Sequence, residues 1–449
     1  MLNKNYDTGI IGLNYVSLSY GLISLKQNKT ALIIEDKNLK FANKWYLNLG
    51  YLERTLLSKI GAKYDIEPLR HIDNYLTDKG TVICLNSKIL EFTDSPYTNV
   101  KEFARKIPES FSDIYNSSIN NIDEAYFNEN FYAFLDTVCD NAFNKIEDNS
   151  LEKIFDENKV DELSFITNSF LEFFESNTEI SKQIHYILQV MFQSVFSSSR
   201  LKIESVYLLL SFLSPRFEVN KAKLEEDLLF EFRKTGGDIK STSVKDWGVQ
   251  RGELKFILLN SVDGLIELES AHFFTQMSHS IPFKMHTAKT HFKSIQLNCV
   301  LEHRFINLYK NKRIIFSSSE RMGSDFPYWE MSIDNDGMLN CVYTYADYTG
   351  TKASFYYHHA VEDVYNSLLT ILPGIDRAEW VSRVKLQEGS DCWYEFLPKN
   401  KKKLIPSKNN TFSRVYDATS SKLITRLYQY GPNSSKSLGF SSYILDIFS

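Results

Sequence analysis

Apolar and polar positions alternate at short range as the chain opens. Thr8–Ile11 reads as a strand entering a tight turn at Gly12, Ser17–Leu25 has helical spacing, and Thr30–Glu35 (TALIIE) is a β-rich run ending on an acid. Strand, helix and strand within roughly 30 residues form a βαβ unit. Residues 36–97 mix shorter signals, with strands expected at Thr81–Leu85 and Lys88–Phe92. From Val100 to Ser214 apolar residues fall three and four apart, as in NNIDEAYFNENFYAFLDTVCDNAFNKI and ISKQIHYILQVMFQSVF, which predicts helices. Lys221–Arg233 is another amphipathic helix, stopped at Thr235-Gly236-Gly237. Strands are expected at Ile239–Val244, Glu253–Leu259 and Gly264–Glu269, then a strand-rich stretch over 291–357 and a helix at Ala360–Leu372.

Composition sharpens this picture. No Gly occurs between Gly80 and Gly236, and 109–214 lacks Pro as well, so the helical reading there meets no breaker. The pattern predicts an α/β protein with a discontinuous main domain. Its segments are 1–97, 215–275 and 375–449; a helical piece at 98–214 and a β-rich piece at 276–374 are inserted as a substrate domain. Lys and Arg number 51 against 56 Asp and Glu, a net charge of −5, which excludes a non-specific nucleic-acid binder. The five cysteines form no CxxC or CxxH pair. Disulfide and zinc frameworks are therefore not expected, and a reduced, cytoplasmic protein is. MLNKNYDTGIIG leaves no room for a secretory signal. Val206–Leu213 is too short to span a bilayer, so no transmembrane segment is expected.

The βαβ opening carries the chemistry. A dinucleotide site needs a Gly turn, a helix whose N-terminal amides face a pyrophosphate, and an acid ending the second strand for a ribose hydroxyl. Gly12 and Glu35 stand at the turn and the strand end. Position for position, YDTGIIGLNYVSLSYGLISLKQNKTALIIED resembles the opening of FAD-dependent oxidoreductases of the phytoene desaturase and flavin amine oxidase type. The register holds from Tyr6 to Asp36. Gly12 takes the first place of the family's GxGxxG, and Asn14 and Ser17 hold the second and third. The second glycine lets backbone approach the pyrophosphate and the third lets helix and strand pack closely. Asn tolerates positive φ better than most residues, which preserves the turn.

Two later blocks carry the same resemblance. LEEDLLFEFRKTGGDIKSTSVKDWGVQRGELKFILLNSVDGLIELESAHFF is similar to the family's helix, Gly-Gly turn, strand and hairpin. By that match Val244 is where a backbone group meets the adenine end of FAD. TRLYQYGPNSSKSLGFSSYILDIF resembles the last family motif and contributes Gly431 and Gly439. The chain departs from the family where glycines or an acid face the cofactor: Phe41-Ala42 for a Gly-Gly pair, Phe217-Glu218 for a second, and Pro432 for the acid of the tail.

The resemblance implies an FAD/NAD(P)-type Rossmann domain. It would hold FAD through Gly12, Asn14, Ser17, Glu35, Val244, Gly431 and Gly439, facing an inserted helical and β-sheet substrate domain. Two functions stay open. One is an FAD-dependent oxidoreductase oxidising or desaturating an apolar or amine small molecule, with no catalytic residue assigned. The other is a cofactor-poor or cofactor-free binding or scaffold protein with a protein partner, as Rab GDP-dissociation inhibitors use this architecture. Other clusters read more simply. His272, His279 and His286 recur every seven residues, which is not metal-ligand spacing. His358-His359 suggest scattered polar contacts, and Lys399–Lys403 a solvated loop. Ser197–Ser199 lack a nucleophile elbow. The aromatic stretches 126–134 and 165–174 are core or, alternatively, the lining of an apolar substrate tunnel.

Overall fold

The computed structural model describes residues 2–36, 48–78, 80–85, 88–106, 121–143, 213–261, 264–276, 283–284, 288–302, 309, 312–317, 328–334, 336–347, 353–388, 393–396, 413–417 and 423–430. The chain begins with β1 (Leu2–Ile11), α1 (Tyr15–Lys26) and β2 (Ala31–Glu35). Leu32, Ile33 and Ile34 are fully buried, which is why this short apolar run is an interior strand. Full burial of each such side chain stabilises by about 1.5–3 kcal/mol. β3 (Asn48–Gly50), α2 (Tyr51–Tyr64), α3 (Glu67–Arg70) and β4 (Leu76–Asp78) follow. Then come β5 (Gly80–Leu85), β6 (Lys88–Phe92), α4 (Pro96–Lys106) and α5 (Glu124–Phe143). β7 (Arg216–Val219) pairs between β3 and β4 in a small three-stranded sheet.

The second passage supplies α6 (Lys221–Lys234), β8 (Asp238–Ser241), β9 (Val244–Gln250), β10 (Glu253–Ser261) and β11 (Gly264–Gln276). The expected single strand Ile239–Val244 is two strands, broken at Thr242-Ser243. The Thr242 amide closes that break by donating to Glu35 O at 3.1 Å. β12 (Phe283–Lys284), β13 (Ala288–Val300), β14 (Lys312–Ser317), β15 (Tyr328–Ile333) and β16 (Met338–Asp347) come next. The chain then forms α7 (Tyr357–Ile371), α8 (Arg377–Arg383), β17 (Lys385–Glu388), β18 (Trp393–Phe396), β19 (Ser413–Asp417) and β20 (Leu423–Tyr430).

Strands β8-β2-β1-β11-β20 form a parallel array in that spatial order. It is the 3-2-1-4-5 order of a doubly wound sheet, with β1 as the strand from which the chain first turns one way and later the other. The fold is therefore the expected α/β one: a Rossmann-type sheet, discontinuous in sequence, with further helices and a second sheet between its segments. The β9–β10 hairpin turns at Arg251 and Gly252, both at positive φ (52° and 79°), and leads antiparallel into β11.

The second sheet runs β17-β13-β16-β15-β14-β5-β6, with β18 also on β13. It takes β5 and β6 from before α4 and β17 and β18 from after α8. One face carries a column of aromatics, Phe316, Trp329, Tyr343 and Tyr345, on which Tyr356 from the turn before α7 stacks. α7 covers this face: Trp329 Nε1 donates to Ser367 Oγ at 3.1 Å, and Tyr343 OH to Asp363 at 2.6 Å. In α5, Phe127, Phe131 and Phe134 are buried, with Phe127 against Tyr97 of α4, so the three phenylalanines of 126–134 are core, while Tyr126 is half exposed. The 165–174 stretch lies outside the described residues. No described helix is long and apolar enough to cross a membrane.

Candidate functional site

In an open α/β sheet, ligands bind beyond the carboxyl ends of the strands at the switch point. Here that is the end of β1, where Ile11 pairs with Ile34 on one side and Thr275 on the other. Gly12 continues the strand by one hydrogen bond, its amide donating to Ile34 O at 2.9 Å, and then turns at φ +112°. A side chain would be strained there, so this glycine is required by the turn itself.

α1 begins immediately after. An α-helix leaves its first four N–H groups without partners inside the helix, and these are the donors that a phosphate would use. All four are taken by side chains of this chain. Asn14 Oδ1 accepts from Val16 N and Ser17 N, both at 3.0 Å. Ser17 Oγ accepts from Asn14 N at 2.9 Å, completing a capping box. The fourth donor, Tyr15 N, gives its hydrogen bond to Glu225 Oε1 of α6 at 3.1 Å. Asn14 is 1 % exposed and Ser17 is fully buried.

Glu225 reaches this point because α6 lies beside α1 and runs the same way. Phe232 of α6 touches the position of Gly21, where an added Cβ would stand 2.6 Å from its ring. Lys26 near the end of α1 pairs with Glu231 of α6 at 3.6 Å. Glu225 also pairs with Lys221 at 3.5 Å. Burial outweighs these favourable partners and holds its carboxyl above the usual range.

The end of β2 is the second part of the site. Glu35 pairs with Ser241 in the ladder to β8, and Val244 follows the break at Thr242-Ser243. The structure thus brings Glu35, Asp36 and Val244 together. The Val244 amide, expected to face an adenine, donates to Asp36 Oδ2 at 2.8 Å. Asp36 is 5 % exposed. The half-buried Glu35 carboxylate has no hydrogen bond or ion pair with the described residues. Gly431, Gly439 and Pro432 lie outside the described residues, as do Phe41 and Ala42. Phe217 belongs to β7 of the small sheet, with Arg54 placed 5.3 Å over its ring.

The structure places the expected Gly12, Asn14 and Ser17 at the start of α1 and Glu35 and Val244 at the end of β2, beside Glu225 and Asp36, which sequence reasoning did not name as site residues. A signal for Glu225 exists. It stands three and seven residues before Leu228 and Phe232, and so on the buried stripe of an amphipathic helix. A carboxylate on that stripe needs a donor. His272 lies in β11, where burial lowers its basicity, and the rings of His358 and His359 lie 6.1 Å apart at the start of α7. Among the described residues no three His, Cys, Asp or Glu side chains are gathered as metal ligands. His279, His286, Ser197–Ser199 and Lys399–Lys403 lie outside the described residues.

These residues do not fit a bound dinucleotide. A pyrophosphate at α1 would have to displace the Asn14 cap and bring its negative charge against the Glu225 carboxylate. An adenine at Val244 would have to displace Asp36.

No protein-family profile matches this chain, and no curated protein does. Among solved structures it is similar to an oxidoreductase from Methanosarcina mazei, with 11% identity, TM-score 0.48, and coverage of 99% of this chain and 100% of that one. A Rab GDI from Plasmodium falciparum gives 12% identity, TM-score 0.48 and coverage of 99% and 96%. A geranylgeranyl bacteriochlorophyll reductase-like protein from Thermoplasma acidophilum gives 8%, 0.44, and 99% and 76%. At such TM-scores these likenesses assign no activity to the chain, and its fold stands on the strand order above.

Proposed function

We propose that this chain uses a Rossmann-type fold of the flavoprotein kind as a binding protein, without flavin redox chemistry. One observation carries the reading: all four N-terminal donors of α1 are occupied from within, by Asn14, Ser17 and Glu225. Backbone donors already bonded to a buried amide, a buried hydroxyl and a partly buried carboxylate are not offered to a ligand phosphate. Asp36 on Val244 N supports the same reading at the other end of the crevice. The occupant of such a protein would be a protein partner or a small apolar or amine molecule.

A second reading retains FAD and an oxidoreductase activity on an apolar or amine substrate. Glu35 favours it, since the carboxylate at the end of β2 is uncommitted among the described residues and is the group that would accept from a ribose. The visible spectrum of the purified protein separates the two. The expected result is no flavin absorption, and added FAD that keeps the fluorescence of the free cofactor. A yellow protein that releases stoichiometric flavin on denaturation would overturn the binding-protein reading.

A further inference from the structure

Glu225 has an unusual position for a carboxylate. It sits on the core-facing stripe of α6, accepts from Tyr15 N at 3.1 Å, and is balanced by one cation, Lys221, at 3.5 Å. The start of α1 carries the positive end of the helix dipole and favours a negative group within the first turn. In a dinucleotide-binding fold that group is the ligand's phosphate. Here a carboxylate from 210 residues away supplies it.

We propose that Glu225 is a resident anion. It takes the electrostatic role of a ligand phosphate at the α1 terminus and by its charge bars nucleotide phosphates from the crevice. This rests on the reading above that the seat is filled from within, and adds which group does the excluding. Asn14 and Ser17 satisfy donors but carry no charge, so they compete with a phosphate only for hydrogen bonds. Glu225 both competes for a donor and repels. The same bond ties the second turn of α6 to the first turn of α1, so the residue also holds the two helices in register.

Four forms of the full chain test this by calorimetric titration with ADP: wild type, Asn14→Gly, Glu225→Gln and Asn14→Gly/Glu225→Gln. Gln keeps an acceptor for Tyr15 N and removes the charge. Gly at position 14 is the family's own residue there and removes the competing cap. Wild type is expected to show no saturable heat. The double variant is expected to bind at least about tenfold more tightly than Asn14→Gly alone, a difference of about 1.4 kcal/mol. Should the double variant fail to fold, pyrophosphate-induced thermal shift is read on Glu225→Gln alone: a shift larger than that of wild type supports the assignment, and an equal one overturns it. Double-variant binding no tighter than that of Asn14→Gly also overturns it, while a colourless wild type leaves the binding-protein reading standing. A wild type that holds flavin removes that reading instead, so the two failures are distinct.

Discussion

Phe232 is the residue on which the α1–α6 contact turns. It is fully buried, and glycine is what lets its ring lie there. A Cβ at Gly237 would stand 2.3 Å from Phe232 Cζ, and one at Gly21 2.6 Å from Cε2. Phe232→Ala should cost about 3–5 kcal/mol through the cavity it leaves. Gly237→Ala should cost about 1–3 kcal/mol by overpacking, provided the ring is held in place. Denaturant unfolding of both variants checks this; a neutral Gly237→Ala would mean that the ring is free to move aside.

Glu225 makes a second prediction at this scale. Its folded carboxyl binds a proton more tightly than the unfolded chain does, because burial is the dominant cause of its shift. Its contribution is therefore fully present below the ordinary Glu value and is lost as pH rises through the raised one. Glu225→Gln should flatten that fall, so thermal unfolding followed from about pH 4 to 8 should show the variant gaining on wild type toward neutral pH. Parallel curves would contradict the assigned burial. The sequence placed Asn14 and Ser17 at the helix start, because a βαβ turn is local, but Asn14 caps α1 from extended backbone at φ −159° and not from the positive φ that its place in the turn suggested. The partner of Tyr15 N was not legible, because nothing in the first forty residues indicates which distant helix will lie alongside.

At the scale of elements, the second sheet contains a charged pair inside its ladder. Arg313 of β14 and Glu330 of β15 join through Nε and Nη2 to both carboxylate oxygens, with Arg313 only 6 % exposed. Arg313→Met should cost about 3–5 kcal/mol, since it removes both hydrogen bonds that the guanidinium gives to a partly buried carboxylate. Arg313→Met/Glu330→Leu should recover most of that loss, because two apolar neighbours need no partner. Comparing the unfolding midpoints of the two variants decides it; a double variant as weak as the single one would show that the cost is steric. Here, too, the sequence was partly readable. β5 and β6 were expected where they occur, because alternating apolar runs report a strand wherever it pairs. Their place in the second sheet was hidden, since β5 finds its parallel partner in β14, with Val82 against Ile314. β20 shows a further non-local choice. Thr425 pairs with Glu253 of β10, Leu427 with Phe273 of β11, and Arg426 between them adopts φ +65° as the strand changes neighbour.

For the whole molecule, the strands of the parallel array were readable as separate runs because the passages between elements have their own local punctuation. The Gly236-Gly237 turn before β8 and the Arg251-Gly252 turn before β10 are examples. Function was less readable, because it depends on which side chains meet across the crevice. Asn14 announced an altered phosphate seat, while Glu225 and Asp36 became visible only once distant strands and helices were placed.

The long-range parallel pairings have a consequence for how the protein is made. A ribosome releases β1 and β5 well before β11 and β14, their parallel partners. Between synthesis of the two halves of each pair, the apolar strands bearing Ile10, Ile11, Val82 and Ile83 have only their sequence neighbours β2 and β6 to pair with, and their other edge stays open. Non-local parallel pairing is slow and leaves such edges open to aggregation. This architecture therefore places a demand on the cell that its end state conceals: the nascent chain must be shielded until β11 and β14 emerge.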